Sequence, residues 1–255
     1  MKIFYTIVFV ALGLLFGSFY NVVGLRLLKK ESLLMPRSHC LSCNHILKWY
    51  ELIPVASYIF LKGRCKNCHS KISFMYPVVE VLTAILFGIS FYKYGFSTEF
   101  FLSLLLSSVL MIVVVTDLTD YIIPDVIVVI TGVLIFIYNI VTKGFIEACT
   151  YVLYGMIIFL LMYLLMIFGN TVFKEESLGG GDIKLMGVLG MINKPIISVV
   201  GLALAALIAL PSSLFFMINK KDKIIPFGPF LIIAIILIMF LKIDTADIID
   251  FVMKR

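Results

Sequence analysis

Residues 3–23, IFYTIVFVALGLLFGSFYNVV, run for 21 positions without an Asp, Glu, Lys, Arg or His. A helix rises 1.5 Å per residue and a bilayer core is about 30 Å thick, so this run is long enough to cross a membrane. It exceeds the apolar core of a secretory signal and lacks a convincing small-residue cleavage site, which makes it a retained first span. The rest of the chain has the same character. Of 255 residues, 62% are hydrophobic and 14% charged, and the mean hydropathy is +1.13. A soluble domain cannot cover its surface with that composition. The length holds roughly seven to nine spans and leaves no room for a large extramembrane catalytic domain. Chemistry must come from helix ends, short loops and one polar stretch.

That stretch runs from Arg26 to Tyr76 and carries nine Lys and Arg against Glu31 and Glu51. Such an excess marks the cytoplasmic side of a membrane protein, which accounts for the formal charge of +6 without a nucleic-acid partner. The reading is an all-α polytopic membrane protein with about eight transmembrane helices. A small cytoplasmic zinc-ribbon-like segment lies between the first and second. Three parts follow: a first helix at 1–25, the tetra-cysteine segment at 26–76 and a membrane-embedded core at 77–255. The expected helices lie near 3–25, 77–93, 99–117, 122–141, 148–169, 183–193, 196–218 and 225–242. The sixth is short and ends at the turn Asn193-Lys194-Pro195. Alternation puts both termini outside and Lys220, Lys221 and Lys223 inside.

Cys40 and Cys43 form one C-x-x-C and Cys65 and Cys68 another, with 21 residues between. Two such knuckles can close a tetrahedral site of four thiolates around Zn²⁺. Asn44 and Gly63 are placed for tight turns, and Arg64, Lys66 and Lys71 offset the thiolate charge. Disulfides or plain reduced thiols are the alternatives, and a cytoplasmic setting disfavours the former. Four cysteines leave no open coordination position, so the role is structural. His39, His45 and His69 read as surface groups around the knuckles and Cys149 as a small buried hydrophobe. Trp49 and Tyr50 suit an interfacial anchor or a binding role.

An ionisable group at the end of an apolar run is costly and therefore a functional candidate. Asp117 follows Val113-Val114-Val115-Thr116 at a helix C-terminus, the unfavourable end of the dipole for a carboxylate. Asp120 and Asp125 are explained by the next helix start, where Pro124 is also tolerated. Gly179-Gly180-Gly181 precedes Asp182, and Lys184 follows. The glycines give the backbone freedom to bring that acid close to a neighbouring helix. Span counting places Asp117 and Asp182 at the same cytoplasmic level. Two carboxylates brought together share a proton near neutrality, a state suited to peptide hydrolysis without a metal. Glu80, near a helix start, is a further polar candidate, with the dipole as its simpler explanation.

In order along the chain, Gly17-Ser-Phe-Tyr-Asn21, the two cysteine pairs, Tyr50-Glu51-Leu-Ile-Pro54, Tyr76-Pro77-Val-Val-Glu80, Asp117, Ile123-Pro124-Asp125, Gly179-Gly180-Gly181-Asp182-Ile-Lys184 and Pro226-Phe-Gly228-Pro229 resemble the type IV prepilin peptidases. These are the bifunctional leader peptidases and N-methyltransferases among the GxGD intramembrane aspartyl proteases. The resemblance implies that Asp117 and Asp182 are the catalytic pair, with Gly179, Gly180, Gly181 and Lys184 as the supporting loop. The implied substrates are prepilin-like proteins, cut at the cytoplasmic face of the bacterial inner membrane and then methylated from S-adenosylmethionine. Pilus or secretion machinery is the implied wider partner. The four cysteines match the bifunctional branch, and no motif locates the methyl-donor site. An ion-coupled transporter using the two aspartates, or a zinc-ribbon scaffold for an export machine, are the readings that compete.

Overall fold

The computed structural model describes residues 1–174, 178–219 and 226–248. Lys220, Lys221 and Lys223, expected on the cytoplasmic side, lie outside the described residues. Among those described, every regular element is a helix. Besides one 3-10 turn at Trp49–Leu52, these are in chain order α1 (Lys2–Leu28), α2 (Ala56–Phe60), α3 (Met75–Tyr94), α4 (Thr98–Asp120), α5 (Asp125–Lys143), α6 (Phe145–Phe173), α7 (Gly180–Leu189), α8 (Pro195–Asn219) and α9 (Gly228–Leu241). Six of them, α1, α3, α4, α5, α6 and α8, are long and apolar enough to cross a membrane. With α7 and α9 they make up the eight expected helices. The chain is a multi-pass membrane protein.

Packing divides it into two compact units, Met1–Asp120 and Tyr121–Arg255. In the first, α1, α3 and α4 pack pairwise. Lipid supplies no hydrophobic drive between helices, so close approach through small residues and interhelical hydrogen bonds must hold them together. A Cβ added at Gly13 would sit 2.6 Å from the Ala84 Cα, and one at Gly17 would sit 2.7 Å from the Glu80 Cα. Those two glycines let the backbones of α1 and α3 touch. The Tyr20 hydroxyl donates to the Ser108 Oγ at 2.7 Å, and Ser90 and Ser103 share a bond of 2.6 Å. As the chain leaves α1, buried Arg26 donates to the carbonyls of Ser32, Leu33 and Pro36, folding the exit strand back on the helix end.

In the second unit Gly144, at φ 91, ends α5 and starts α6 with no intervening loop. Its N–H donates to the Ile140 carbonyl, and its own carbonyl accepts from Ala148, each at 3.0 Å. The ten-residue α7 spans only about 15 Å, half a bilayer core. It is nevertheless the centre of the unit, packed on α5, α6 and α9 with Leu185, Met186 and Leu189 fully buried. Its short hydrophobic pattern therefore belongs to a helix covered by protein. Cys149 departs from expectation: it is exposed. Packing against its neighbours turns the Ala148 side of α6 inward and leaves Cys149 about 100° further round.

Candidate functional site

The four cysteine sulfurs lie within 4.8 Å of one another. Cys40 and Cys68 are 3.8 Å apart, the spacing of about 3.8 Å that a tetrahedral ion with Zn–S bonds of about 2.3 Å requires. Each knuckle is a short loop closed by its own backbone. In the first, the Asn44 N–H donates to the Cys40 carbonyl and the Cys40 N–H to the His45 carbonyl, both at 2.9 Å. In the second, the His69 N–H donates to the Cys65 carbonyl at 3.0 Å and the Cys65 N–H to the Ser70 carbonyl at 2.9 Å. The residue after the second cysteine is left-handed in both, Asn44 at φ 55 and His69 at φ 56, and Gly63 at φ 65 makes the turn into the second hairpin. The backbone N–H groups of Ser42 and Cys43 aim at the Cys40 sulfur and bring its thiol down to about 6. The Ser70 hydroxyl also lowers Cys68. The backbone N–H groups of Cys68 and Asn67 pull Cys65 down, but burial and the neighbouring sulfurs leave it above the ordinary value. All five cysteines are free thiols, and the four clustered ones form a donor set that can hold zinc. The three histidines stay out of it: His39 contacts the Arg37 carbonyl, His45 faces Glu51 and His69 is exposed.

Two carboxylates strap this ribbon down. Glu51 lies in a 3-10 turn, Trp49–Leu52, with its side chain 1% exposed. Its Oε2 accepts the Lys48 N–H at 2.8 Å and faces the His45 Nε2 at 3.2 Å. Burial alone would push this carboxyl up; the Lys48 N–H and His45 outweigh it and hold the group below its ordinary value. Glu80, on α3, accepts the Val55 N–H at 2.7 Å. Val55 has φ 59 and ψ −49, and the Ala56 N–H reaches back to the Pro54 carbonyl at 2.5 Å. This is a three-residue turn of the strained, positive-φ kind, uncommon for a β-branched residue. Asn21 of α1 joins the same region by donating to the Tyr76 carbonyl at 3.2 Å. Glu80 thus has a specific partner in the turn between the ribbon's two knuckles, beyond any interaction with the dipole. Neither tie could be read from sequence, because one partner of each is a backbone N–H.

Asp117 is 5% exposed and lies in the last turn of α4, which runs one turn beyond the expected end at 117. Asp182 sits in the first turn of α7, with Gly179 at the cap position. The glycine triplet does not work as expected, since Gly179 has an ordinary φ of −69 and positive φ among the described glycines is confined to Gly63, Gly95 and Gly144. Its contribution is room. A Cβ on Gly181 would come within 3.0 Å of the Ile123 Cβ, and one on Gly179 within 3.1 Å of the Asp182 Oδ2. Beside Asp182, Lys184 pairs with Asp125 at 2.7 Å. Asp125, explained from sequence as a helix-start acid, therefore also ties α5 to α7. A groove of about 480 Å³ between α5, α6 and α7 runs from this ion pair along Val128, Met156, Val188 and Met191.

Two family models match in succession. Residues 11–94 match a bacterial peptidase A24 N-terminal domain, and residues 104–214 match the type IV leader peptidase family. The prepilin leader peptidase/N-methyltransferase of Bacillus subtilis is 36% identical over 180 residues, covering 71% of this chain and 70% of that one. The type 4 prepilin-like proteins leader peptide-processing enzyme of Escherichia coli is 33% identical, covering 90% and 91% respectively. The prepilin leader peptidase/N-methyltransferase of Vibrio cholerae is 30% identical, covering 94% and 98%. No solved structure matches the chain. With both halves matched in order and relatives aligned over nearly the full length, the chain belongs to the type IV leader peptidase family.

Proposed function

We propose that the protein is a membrane-embedded aspartic endopeptidase. It removes the leader of type IV prepilin-like proteins at the cytoplasmic face of the inner membrane and then N-methylates the new N-terminus. The observation that carries this reading is the leader-peptidase match over residues 104–214, which spans both Asp117 and Asp182. Asp117 comes from the first compact unit and Asp182 from the second, and the chemistry requires the two carboxyls to flank one water. Held together they share a proton. The ionised member takes a proton from the attacking water while the protonated one donates to the scissile carbonyl oxygen. The resulting tetrahedral intermediate collapses as the leaving nitrogen receives a proton, freeing the amine. S-adenosylmethionine is then the co-substrate whose methyl group that amine takes up.

The Cys40–Cys43–Cys65–Cys68 cluster supports a zinc ion as a structural element of the ribbon. Bound there, the ion supplies a cross-link between the two knuckles and no open position for substrate. The excess of Lys and Arg in residues 26–76 supports a cytoplasmic active face. Asp117→Asn and Asp182→Asn, each near-isosteric, should lower leader removal about 10²–10⁴-fold, the usual contribution of a positioned acid or base. The assay is purified protein with a prepilin leader peptide and labelled methyl donor, read by mass spectrometry. Unchanged cleavage in both variants would overturn the protease reading. An ion-coupled transporter would instead lose substrate uptake in the same variants and cleave nothing.

A further inference from the structure

Between Lys29 and Phe74 the buried positions are Glu51, Gly63 and Cys65, two of them a polar strap and a metal ligand. The segment has no apolar core of its own. Eleven large apolar side chains in it are instead exposed, with Leu34 at 87%, Phe60 at 83%, Trp49 at 78% and Phe74 at 69%. Single exposed hydrophobes are ordinary, but this density in so short a segment marks a surface that something covers. The same segment exposes eight Lys and Arg against one acid, Glu31.

We propose that the exposed face of the ribbon lies in the headgroup layer of an anionic bilayer leaflet, with Trp49 and Phe60 immersed at the acyl boundary. Three observations choose lipid over a protein partner. The first is charge: six of the eight exposed cations are Lys, a residue depleted at protein interfaces but favoured at anionic lipid surfaces. The second is mixture. Aromatic and aliphatic side chains are interleaved with cations, as in Phe60-Leu61-Lys62 and Lys48-Trp49, the composition of a segment lying in an interface. The third is continuity. The segment leaves α1 at Leu28 and enters α3 at Met75, both spanning helices. Apolar side chains are exposed on either side of each junction, Phe19 in α1 and Leu34 beyond it, Phe74 at the start of α3 and Leu82 within it. Arg26 holds the first of these exits against the helix end. The zinc-binding knuckles are then carried at the membrane surface and do not stand free in the cytoplasm.

Trp49 is the only tryptophan in the chain, so its emission reports the ribbon without labelling. The full chain is reconstituted in bilayer nanodiscs of phosphatidylcholine and phosphatidylglycerol, with or without lipids brominated near the head of the acyl chain. Immersion predicts about a two-fold loss of Trp49 emission with brominated lipid. The same loss is expected when the single tryptophan is moved, in a Trp49→Phe, Phe60→Trp variant. Unquenched emission at Trp49 overturns the proposal, as does unquenched emission at position 60 in a variant that retains its zinc. Should that variant fail to fold, the unaltered protein still decides through Trp49. In discs of phosphatidylcholine alone the quenching should weaken and become insensitive to salt; equal quenching in both would overturn the anionic preference. A blue-shifted emission that brominated lipid leaves untouched would mean protein covers this face, and would likewise overturn the proposal. No cleavage is read, so failure here is distinct from failure of the protease reading.

Discussion

The tetra-cysteine ribbon and the two aspartates proposed as catalytic are drawn from the chain in opposite ways. The ribbon gathers four ligands from 29 consecutive positions, each knuckle closed by hydrogen bonds across four or five residues. Its geometry is local and comes with the loop. The aspartates lie 65 positions apart, one in the last turn of α4 and the other in the first turn of α7, in separate compact units. Asp117 is buried at the end of its helix, and the missing Cβ at Gly179 leaves room beside Asp182. A local site should fail as a whole when one ligand is lost. On the proposed reading, loss of either aspartate should remove the chemistry while each unit keeps its own fold.

The largest effect belongs to the ribbon. Cys65→Ser removes the one buried thiol of the cluster, and where such a cluster holds structural zinc, apparent binding energies of about 10–16 kcal/mol tie the metal to local folding. Zinc content should fall from about one ion per chain to none, and residues 36–72 should become open to protease while the spanning helices remain protected. Cys149→Ser, a change at an exposed thiol outside the cluster, should leave the metal in place. Retention of stoichiometric zinc in Cys65→Ser would break the contrast at its firmer end.

Next comes the scaffold that carries Asp117. Gly17→Val places a side chain where even a Cβ would lie 2.7 Å from the Glu80 Cα, so the backbones of α1 and α3 must part. Overpacking of that kind costs about 1–3 kcal/mol. It should also disturb Glu80 and the Val55 turn, loosening the ribbon from the bundle. Thermal denaturation with methylation and cleavage measured in parallel would show whether damage stays in the first unit. Unaltered stability would mean that the helices do not meet at Gly17.

Within the ribbon, Glu51 ties the 3-10 turn to the first knuckle. Its carboxyl is held below the ordinary carboxylate value of about 4.5 by the Lys48 N–H and His45, against the upward push of burial. A depressed folded value stabilises the folded state above the unfolded one, and that contribution is lost as pH falls through the folded value. Hydrogen exchange over residues 48–55, relative to the intrinsic amide rate at each pH, should therefore accelerate below about pH 4.5 in the wild type. In Glu51→Gln it should already be fast at neutral pH, by an amount corresponding to about 1–3 kcal/mol for the disrupted buried bonds. A Glu51→Gln profile that matches the wild type at neutral pH would show that the strap carries no load.

What could be read from sequence follows the same division between local and distant. Apolar runs such as 3–23 and C-x-x-C spacing are properties of adjacent residues, so the spanning helices and the four-cysteine cluster were legible. The role of the glycine triplet was not. Freedom of φ is a property of one residue, whereas the room that Gly181 provides depends on Ile123, 58 positions away. The exposure of Cys149 has no sequence signal, because a helix apolar all round does not say which of its sides faces protein and which faces lipid. Glu51 and Glu80 stayed obscure because each is held by a backbone N–H, a partner that has no signature in residue type.

Lys184 provides the smallest effect and the finest test of how the second unit presents its aspartate. The Lys184–Asp125 pair is short at 2.7 Å, but its side chains are 50% and 69% exposed, so solvent screening limits it to about 0.2–1 kcal/mol. Lys184→Met should therefore barely change the melting temperature of the protein. The pair nevertheless joins the start of α5 to the turn of α7 that carries Asp182. If it orients that turn, Lys184→Met will lower the cleavage rate by more than its stability cost accounts for, and a charge swap of Lys184 with Asp125 will restore part of the loss. A rate loss no larger than the stability loss would assign the pair to the surface alone, leaving Gly181 and its contact with Ile123 as the feature that sets the position of Asp182.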